Sequence, residues 1–242
     1  MKNSLVLFLF VLIMGCASNS QTRRYNEADS QRVDENSPEM LNVKMGVAYF
    51  ERNDYDTAIE KFKRALAHNP KLAIAHSGLA LVYSTMNAKA DAERHYKQSI
   101  KFAPNDPTIL NNYGTFLCQN GKYLEAVEYY KKTLANPFYK TPETVRENMG
   151  VCLMKADKTE EAEYNFREAL KVNPELPISL YNMVILAAGK GESMTARAFI
   201  QRLESIMELD EKVLKVAYEI ERKLGNQSAA NRYLAQLRKI KK

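Results

Sequence analysis

The sequence predicts an all-α protein built as an array of six helix-turn-helix repeats. The first observation is a fixed period of 34 residues, seen for example between Pro70 and Pro104. The second is that small residues recur at fixed places in each period. In the first predicted helix they are Gly46, Ala80, Gly114 and Gly150, and in the second they are Ala58, Ala92, Ala126 and Ala162. A period of this length indicates stacked units, none of which can bury its apolar face alone.

Local chemistry explains the pattern within a repeat. We expect Gly46 to face Ala58, small against small, so that the two helices approach closely. Phe62, four residues after Ala58, continues the apolar stripe of an amphipathic helix. Asn69-Pro70 then ends the second helix, because proline cannot continue the hydrogen-bond ladder and disfavours helical backbone in its predecessor. The pattern resembles the tetratricopeptide repeat (TPR), which implies a right-handed superhelix of six TPR units.

The predicted TPR domain covers residues 39–242. Repeat three is two residues longer than its neighbours, and the extra length falls in the aromatic connection from Asn136 to Pro142. Repeats five and six keep the pattern only weakly, which is typical of units that cap an array. The predicted repeats span about 39–72, 73–106, 107–142, 143–176, 177–210 and 211–242.

The N-terminus has the pattern of a secretory signal. Lys2 supplies the positive charge, and an apolar run follows that is too short for a permanent transmembrane helix. The stretch Leu12-Ile13-Met14-Gly15-Cys16 resembles a bacterial lipobox, which implies a signal peptide at 1–15 and acylation of Cys16 by chains such as palmitate. The alternative is an ordinary signal with an incidental cysteine. Residues 16–38 then form a polar, flexible tether.

The whole chain resembles the type IV pilus biogenesis/stability lipoproteins of the PilF/PilW pilotin type. The resemblance lies in the architecture and in two segments, Leu110-Asn111-Asn112-Tyr113-Gly114-Thr115-Phe116-Leu117-Cys118 and Asn148-Met149-Gly150-Val151-Cys152. It implies a lipid-anchored protein on the periplasmic face of the outer membrane, since no aspartate follows Cys16. It also implies a non-enzymatic scaffold that helps the pilus secretin to localise and multimerise.

Two other functions remain open from the sequence. The first is a TPR lipoprotein adaptor for another envelope assembly machine, such as peptidoglycan synthesis or outer-membrane protein assembly. The second is a periplasmic holdase that shields exposed apolar segments without specificity. Binding that discriminates among amphipathic peptides would argue against the holdase.

Two sets of residues are candidates for protein binding on the inner surface of the superhelix. The first is an apolar stripe that suits an amphipathic partner segment: Met40, Val43, Val47, Phe50, Ile74 and Leu81. The second is one register position filled by asparagine in repeats three to five, where an amide can bond an extended backbone: Asn112, Asn148 and Asn182. The alternatives are that the stripe is ordinary core and that the asparagines are merely tolerated.

Cys118 and Cys152 lie on the first helices of neighbouring repeats, at unit positions that differ by two residues. Two residues turn a helix by about 200° and advance it by about 3 Å, so one side chain can face the next helix while the other faces back. In an oxidising periplasm this favours a disulfide. Two buried free thiols are the alternative.

The remaining composition argues against catalysis, cofactors and nucleic acid. His68, His76 and His95 are the only histidines, and none stands at metal-ligand spacing with cysteine or carboxylates. There is no phosphate loop and no nucleophile signature. The net charge of +6 is mild and forms no basic stripe with aromatics. We therefore expect a protein partner, without a metal, a cofactor, nucleic acid or a small-molecule substrate.

Overall fold

The computed structural model describes residues 34–240, which form twelve α-helices and no strand. The predicted signal peptide, Cys16 and most of the tether lie outside the described residues. Consecutive helices pair into six hairpins, as in a TPR array. The helices are α1 Pro38–Glu51, α2 Tyr55–His68, α3 Ala73–Thr85, α4 Lys89–Phe102, α5 Pro107–Gln119, α6 Tyr123–Leu134, α7 Pro142–Lys155, α8 Thr159–Val172, α9 Pro177–Gly189, α10 Ser193–Glu204, α11 Glu211–Lys223 and α12 Gln227–Ile240.

Proline and acidic caps define where several first helices begin. Pro38 and Pro142 each occupy the first turn of a helix, one residue before the starts expected for repeats one and four. Proline suits this position because its fixed φ matches the helix and its missing N–H had no partner there. The Asp106 carboxylate accepts the backbone N–H groups of Thr108 and Ile109, at 2.9 and 3.0 Å, and so caps α5.

The turn inside each hairpin contains one residue in the left-handed conformation. Its position repeats with the period of the array, and its φ lies between 57° and 80°. Only glycine, asparagine and aspartate adopt this region at little cost. The six residues are Asn53, Asn87, Gly121, Asp157, Gly191 and Gly225. One backbone geometry therefore closes all six hairpins, although three residue types provide it.

The close approach within a hairpin differs in one respect from the sequence expectation. The six alanines of the second helices are fully buried: Ala58, Ala92, Ala126, Ala162, Ala196 and Ala230. The glycines, however, lie under aromatic rings. A Cβ on Gly46 would be 2.8 Å from Cε1 of Phe62, and one on Gly150 would be 2.7 Å from Cε1 of Phe166. The sequence predicted that glycine would face alanine. The structure adds a large aromatic ring from the second helix, which fills the space above the glycine.

Buried polar contacts join neighbouring repeats in the second half of the array. Helix α9 has no side-chain cap of its own. The buried Glu147 carboxylate on α7 accepts instead from the Ser179 backbone N–H at 2.8 Å and from its hydroxyl at 2.7 Å. Arg197 of α10 forms a two-pronged ion pair with buried Glu221 of α11, with Nε donating at 2.8 Å. Such bidentate pairs fix geometry as well as charge.

We predict that Gly150→Ala destabilises the protein by about 1–3 kcal/mol, because the new methyl group overlaps the Phe166 ring in a close-packed interior. The measurement is urea unfolding followed by circular dichroism. Gly189→Ala is the matched control, since nothing lies within 4 Å of a Cβ at Gly189. Equal unfolding midpoints for the two variants would contradict the packing account.

Candidate functional site

A shallow apolar groove of about 220 Å³ lies where α1, α3 and α5 come together. Val47, Ile74 and Leu81 form its exposed walls, with 43%, 46% and 38% of their surfaces accessible. Large aliphatic side chains with this exposure, gathered from two repeats, leave apolar surface in water that a partner could cover. We call this the N-terminal groove.

The N-terminal groove contains five of the nine residues predicted for binding: Val43, Val47, Ile74, Leu81 and Asn112. Val43 is only 3% exposed and belongs mainly to the core of repeats one and two. Met40 and Phe50 are half-buried against the same core, and the Phe50 ring packs against Tyr55 at 5.8 Å. Asn148 and Asn182 line neither this groove nor the one beside it.

A second, more polar groove of about 380 Å³ adjoins the first, and the two share Leu81 and Asn112. Hydroxyl and amide groups form much of its lining, which includes Ser84, Thr115 and Gln119. The Thr115 hydroxyl accepts a bond of 3.2 Å from the Tyr130 hydroxyl. A partner that crosses both grooves would therefore meet apolar groups first and hydrogen-bonding groups next.

The three asparagines of the repeated position differ in their bonding. The Asn182 amide donates to the Ile178 carbonyl at 2.8 Å, one turn back in its own helix. Within residues 34–240, the side chains of Asn112 and Asn148 have no hydrogen-bond partner, and both are half-buried. Half-buried amides without partners are available to a ligand backbone, since each offers donors and an acceptor. Asn112 is the better placed of the two, because it lies between the grooves.

Sequence reasoning missed several groove residues, of which Gly78 matters most. Gly78, Ile109 and Thr115 all line the grooves. A signal for Gly78 was present, because it stands 34 residues before Asn112, at the register position that holds asparagine in the next three repeats. Where a repeated polar residue gives way to glycine, the backbone surface is left open.

Cys118 of α5 and Cys152 of α7 are joined as a disulfide, with Cα atoms 5.7 Å apart. Both are buried, at 6% and 0% exposed. The bridge connects the first helix of repeat three to that of repeat four. It therefore fastens the helix that carries Asn112 to the helix that carries Asn148.

We predict that reducing this disulfide lowers the free energy of unfolding by about 3–4 kcal/mol, because the bridge closes a loop of 34 residues in the unfolded chain. The measurement is urea unfolding with and without a reductant. A Cys118→Ala/Cys152→Ala variant is the control, and its midpoint should not respond to the reductant. Alkylation of the unfolded, unreduced wild type at both residues would show free thiols and refute the prediction.

His76 and His95 face each other inside repeat two, with their Nδ1 atoms 3.0 Å apart. Since His76 Nε2 lies 3.2 Å from the Pro70 carbonyl, it must donate there, which leaves its Nδ1 to accept from His95. Burial lowers the pKa of both imidazoles, that of His95 to about 4, and for His95 the neighbouring His76 and then the positive charge of Arg94 add to the effect. Asp91 acts in the opposite direction. The pair is therefore neutral at pH 7.

We predict that the folded state loses stability as the pH falls from about 6.5 towards 4. In that window unfolded histidine takes up a proton, whereas folded His95 with its lowered pKa does not. His95→Phe should flatten the pH dependence of the melting temperature in this range. His68→Phe, which changes an exposed histidine at the end of α2, should leave it unchanged. Parallel curves for wild type and His95→Phe would contradict the prediction.

Within residues 34–240 there is no group of three or more histidine, cysteine, aspartate or glutamate side chains placed to hold a metal ion. Over the same residues, none of the helices combines the length and the apolar character needed to cross a bilayer.

Two family models match the chain: a TPR repeat over residues 46–87 and a tetratricopeptide repeat over residues 95–128. Together with the six hairpins, they define the protein as a tetratricopeptide-repeat protein, a class of protein-interaction modules.

More specific similarity comes from individual relatives. The type IV pilus assembly protein PilF of Pseudomonas aeruginosa is 25% identical over 200 residues, which cover 82% of this chain and 77% of PilF. A crystal structure of PilW, a widely conserved type IV pilus biogenesis factor, superposes with a TM-score of 0.74 at 27% identity, over 84% of this chain and 93% of PilW. The structure of P. aeruginosa PilF gives a TM-score of 0.80 at 23% identity, over 84% and 91% of the two chains. The chain is thus a homologue of PilF and shares the fold of these two pilus biogenesis proteins.

Proposed function

We propose that this protein is an outer-membrane lipoprotein that serves as an interaction scaffold in type IV pilus biogenesis, where it helps the outer-membrane secretin to localise and multimerise. The observation that carries the proposal is the N-terminal groove. Val47, Ile74 and Leu81 form a contiguous apolar surface on the first helices of a TPR array whose relatives are pilus proteins.

The chemistry of the groove suits a protein partner rather than a small metabolite. It is open, it has no cluster of charged groups, and it continues into hydroxyl and amide groups at Ser84, Asn112 and Thr115. A helix or extended segment with one apolar side meets these requirements. A secretin subunit that must be held before it assembles is a partner of this kind.

The lipid anchor is the second part of the proposal. The lipobox sequence Leu12–Cys16 supports acylation of Cys16, and several acyl chains make membrane attachment effectively permanent. In the sequence, about twenty mostly polar residues separate Cys16 from α1, a length of chain that can span at most about 70 Å. The array would then work close to the inner leaflet of the outer membrane.

A non-specific holdase is less well supported. A holdase needs a broad apolar surface, whereas the N-terminal groove measures only about 220 Å³ and gives way to polar groups at Asn112 and Gln119. An adaptor for another envelope machine would use the same groove, and the experiment below distinguishes it by the identity of the partner.

We predict that a photo-crosslinking amino acid at position 47, introduced in living cells, traps the pilus secretin. Val47 is exposed at the groove wall, so its side chain can reach a bound segment. The adduct would be identified by mass spectrometry. The same group at position 124 is the control, because Leu124 is 62% exposed and lies in neither groove.

A secretin adduct at position 47 but not at 124 is the expected result. A different envelope protein at position 47 would keep the scaffold function and refute the assignment to the pilus. Adducts of equal yield at both positions, or none at position 47, would refute the placement of the binding site in the N-terminal groove.

A further inference from the structure

The floor of the N-terminal groove contains one register position whose residue differs from repeat to repeat. Asn112, Asn148 and Asn182 occupy this position in repeats three, four and five, whereas repeat two has Gly78. Gly78 lies near the middle of α3, which runs without interruption from Ala73 to Thr85. Where the other repeats place an amide side chain, the ring of Phe62 takes up the space in repeat two, and no side chain projects from this position into the groove.

Phe62 explains why this position cannot hold a side chain. Its ring, only 2% exposed, lies between the first helices of repeats one and two and contacts the backbone of both Gly46 and Gly78. A Cβ on Gly78 would overlap Cε1 and Cζ of the ring. Phe62 thus closes the groove from below, and Gly78 exposes part of that floor.

The walls above this floor are mainly apolar. Five aliphatic residues form most of them: Val43, Val47, Ile74, Leu81 and Ile109. Ser77 and Thr108 add two hydroxyl groups. Asp106 is the one charged residue of the lining, and its carboxylate is already engaged by two backbone N–H groups at the start of α5. An anionic ligand group would lose its hydration here and meet no opposite charge. A cationic group would meet only the Asp106 carboxylate, whose charge is partly balanced by the positive N-terminal end of α5, so its lost hydration is poorly replaced.

The size of the N-terminal groove matches a single ring. An apolar protein cavity of about 150 Å³ is large enough for benzene. At about 220 Å³ the N-terminal groove has room for one phenylalanine side chain and the start of its backbone. The ring would pack against the aliphatic walls and the edge of Phe62, and aromatic pairs favour such offset or edge contacts.

We infer that the N-terminal groove is a socket for one aromatic side chain, presented by an uncharged segment of the partner protein. Because it names the chemistry of the segment that the groove accepts, the inference rests on the proposed function. The aromatic side chain enters above Gly78, and the chain then continues towards Ser84, Asn112 and Gln119, which can bond its backbone. Since no opposite charges meet, binding should depend little on ionic strength.

The test is a methyl NMR titration of the full chain in phospholipid nanodiscs with N-acetylphenylalaninamide. We expect saturable shifts of the Val47, Ile74 and Leu81 methyl groups. N-acetyllysinamide, an amide of similar length with a charged end, should shift none of them. Raising the salt concentration should change the affinity for the aromatic probe by less than about twofold.

Two matched variants make the test specific. Ile74→Asn replaces an aliphatic side chain in the wall of the N-terminal groove with a polar one. It should weaken binding of the aromatic probe by roughly tenfold, or about 1.4 kcal/mol. Ile178→Asn changes the equivalent second residue of α9, which is 50% exposed and lines neither groove, and should leave the affinity unchanged. Equal affinity of wild type and Ile74→Asn, or equal binding of the lysine probe, would overturn the inference.

The crosslinking experiment separates this inference from the proposed function. If position 47 traps the secretin while the aromatic probe does not bind, the socket is refuted and the pilus function stands. If the probe binds and Ile74→Asn weakens its binding as expected, but position 47 traps another protein, the socket stands and the pilus function fails.

Discussion

The structure depends on the close approach of two helices under one large ring. Phe62 covers Gly46, Tyr130 covers Gly114, and Phe166 covers Gly150. Because the ring is nearly or fully buried in each case, the two helices of the hairpin cannot shift against each other without disturbing its close packing. The Phe62 ring also lies against Gly78 of the next repeat, where it forms the floor of the N-terminal groove.

The fold could be predicted because this contact requires a small residue in the first helix and a large one in the second, and both recur at a fixed period. The later repeats show how this sequence pattern can weaken while the fold is kept. In repeat five, Val184 replaces the glycine and Ile200 replaces the ring, and both are buried at 0% and 2% exposed. The smaller second-helix residue offsets part of the volume that the larger first-helix residue adds. Residue identity is lost, while the packing remains.

The site could be predicted only in part. Exposure of Val47, Ile74 and Leu81 follows from their register, but the burial of Val43 depends on how repeat two rotates against repeat one, which no single repeat records. The left-handed turn residues were missed for a related reason. Asn53, Gly121 and Asp157 share one backbone conformation, so a search for one residue type does not find them. Gly78 was missed because it stands out only when it is compared with the asparagines at the same position of the next three repeats.

The two halves of the proposed binding surface have different mechanical properties, and this bears on what they can recognise. Phe62 is held between two glycine backbones and cannot turn aside, so the aromatic socket exists before a ligand arrives. A preformed socket saves the entropy of ordering side chains and selects for shape. Asn112 and Asn148 have no partners of their own within the described residues, and their amides can turn to suit different backbones. The disulfide between their helices keeps the spacing of these amides constant while their orientation remains free. Recognition would therefore be strict for one side chain at the N-terminal end and tolerant of sequence beyond it.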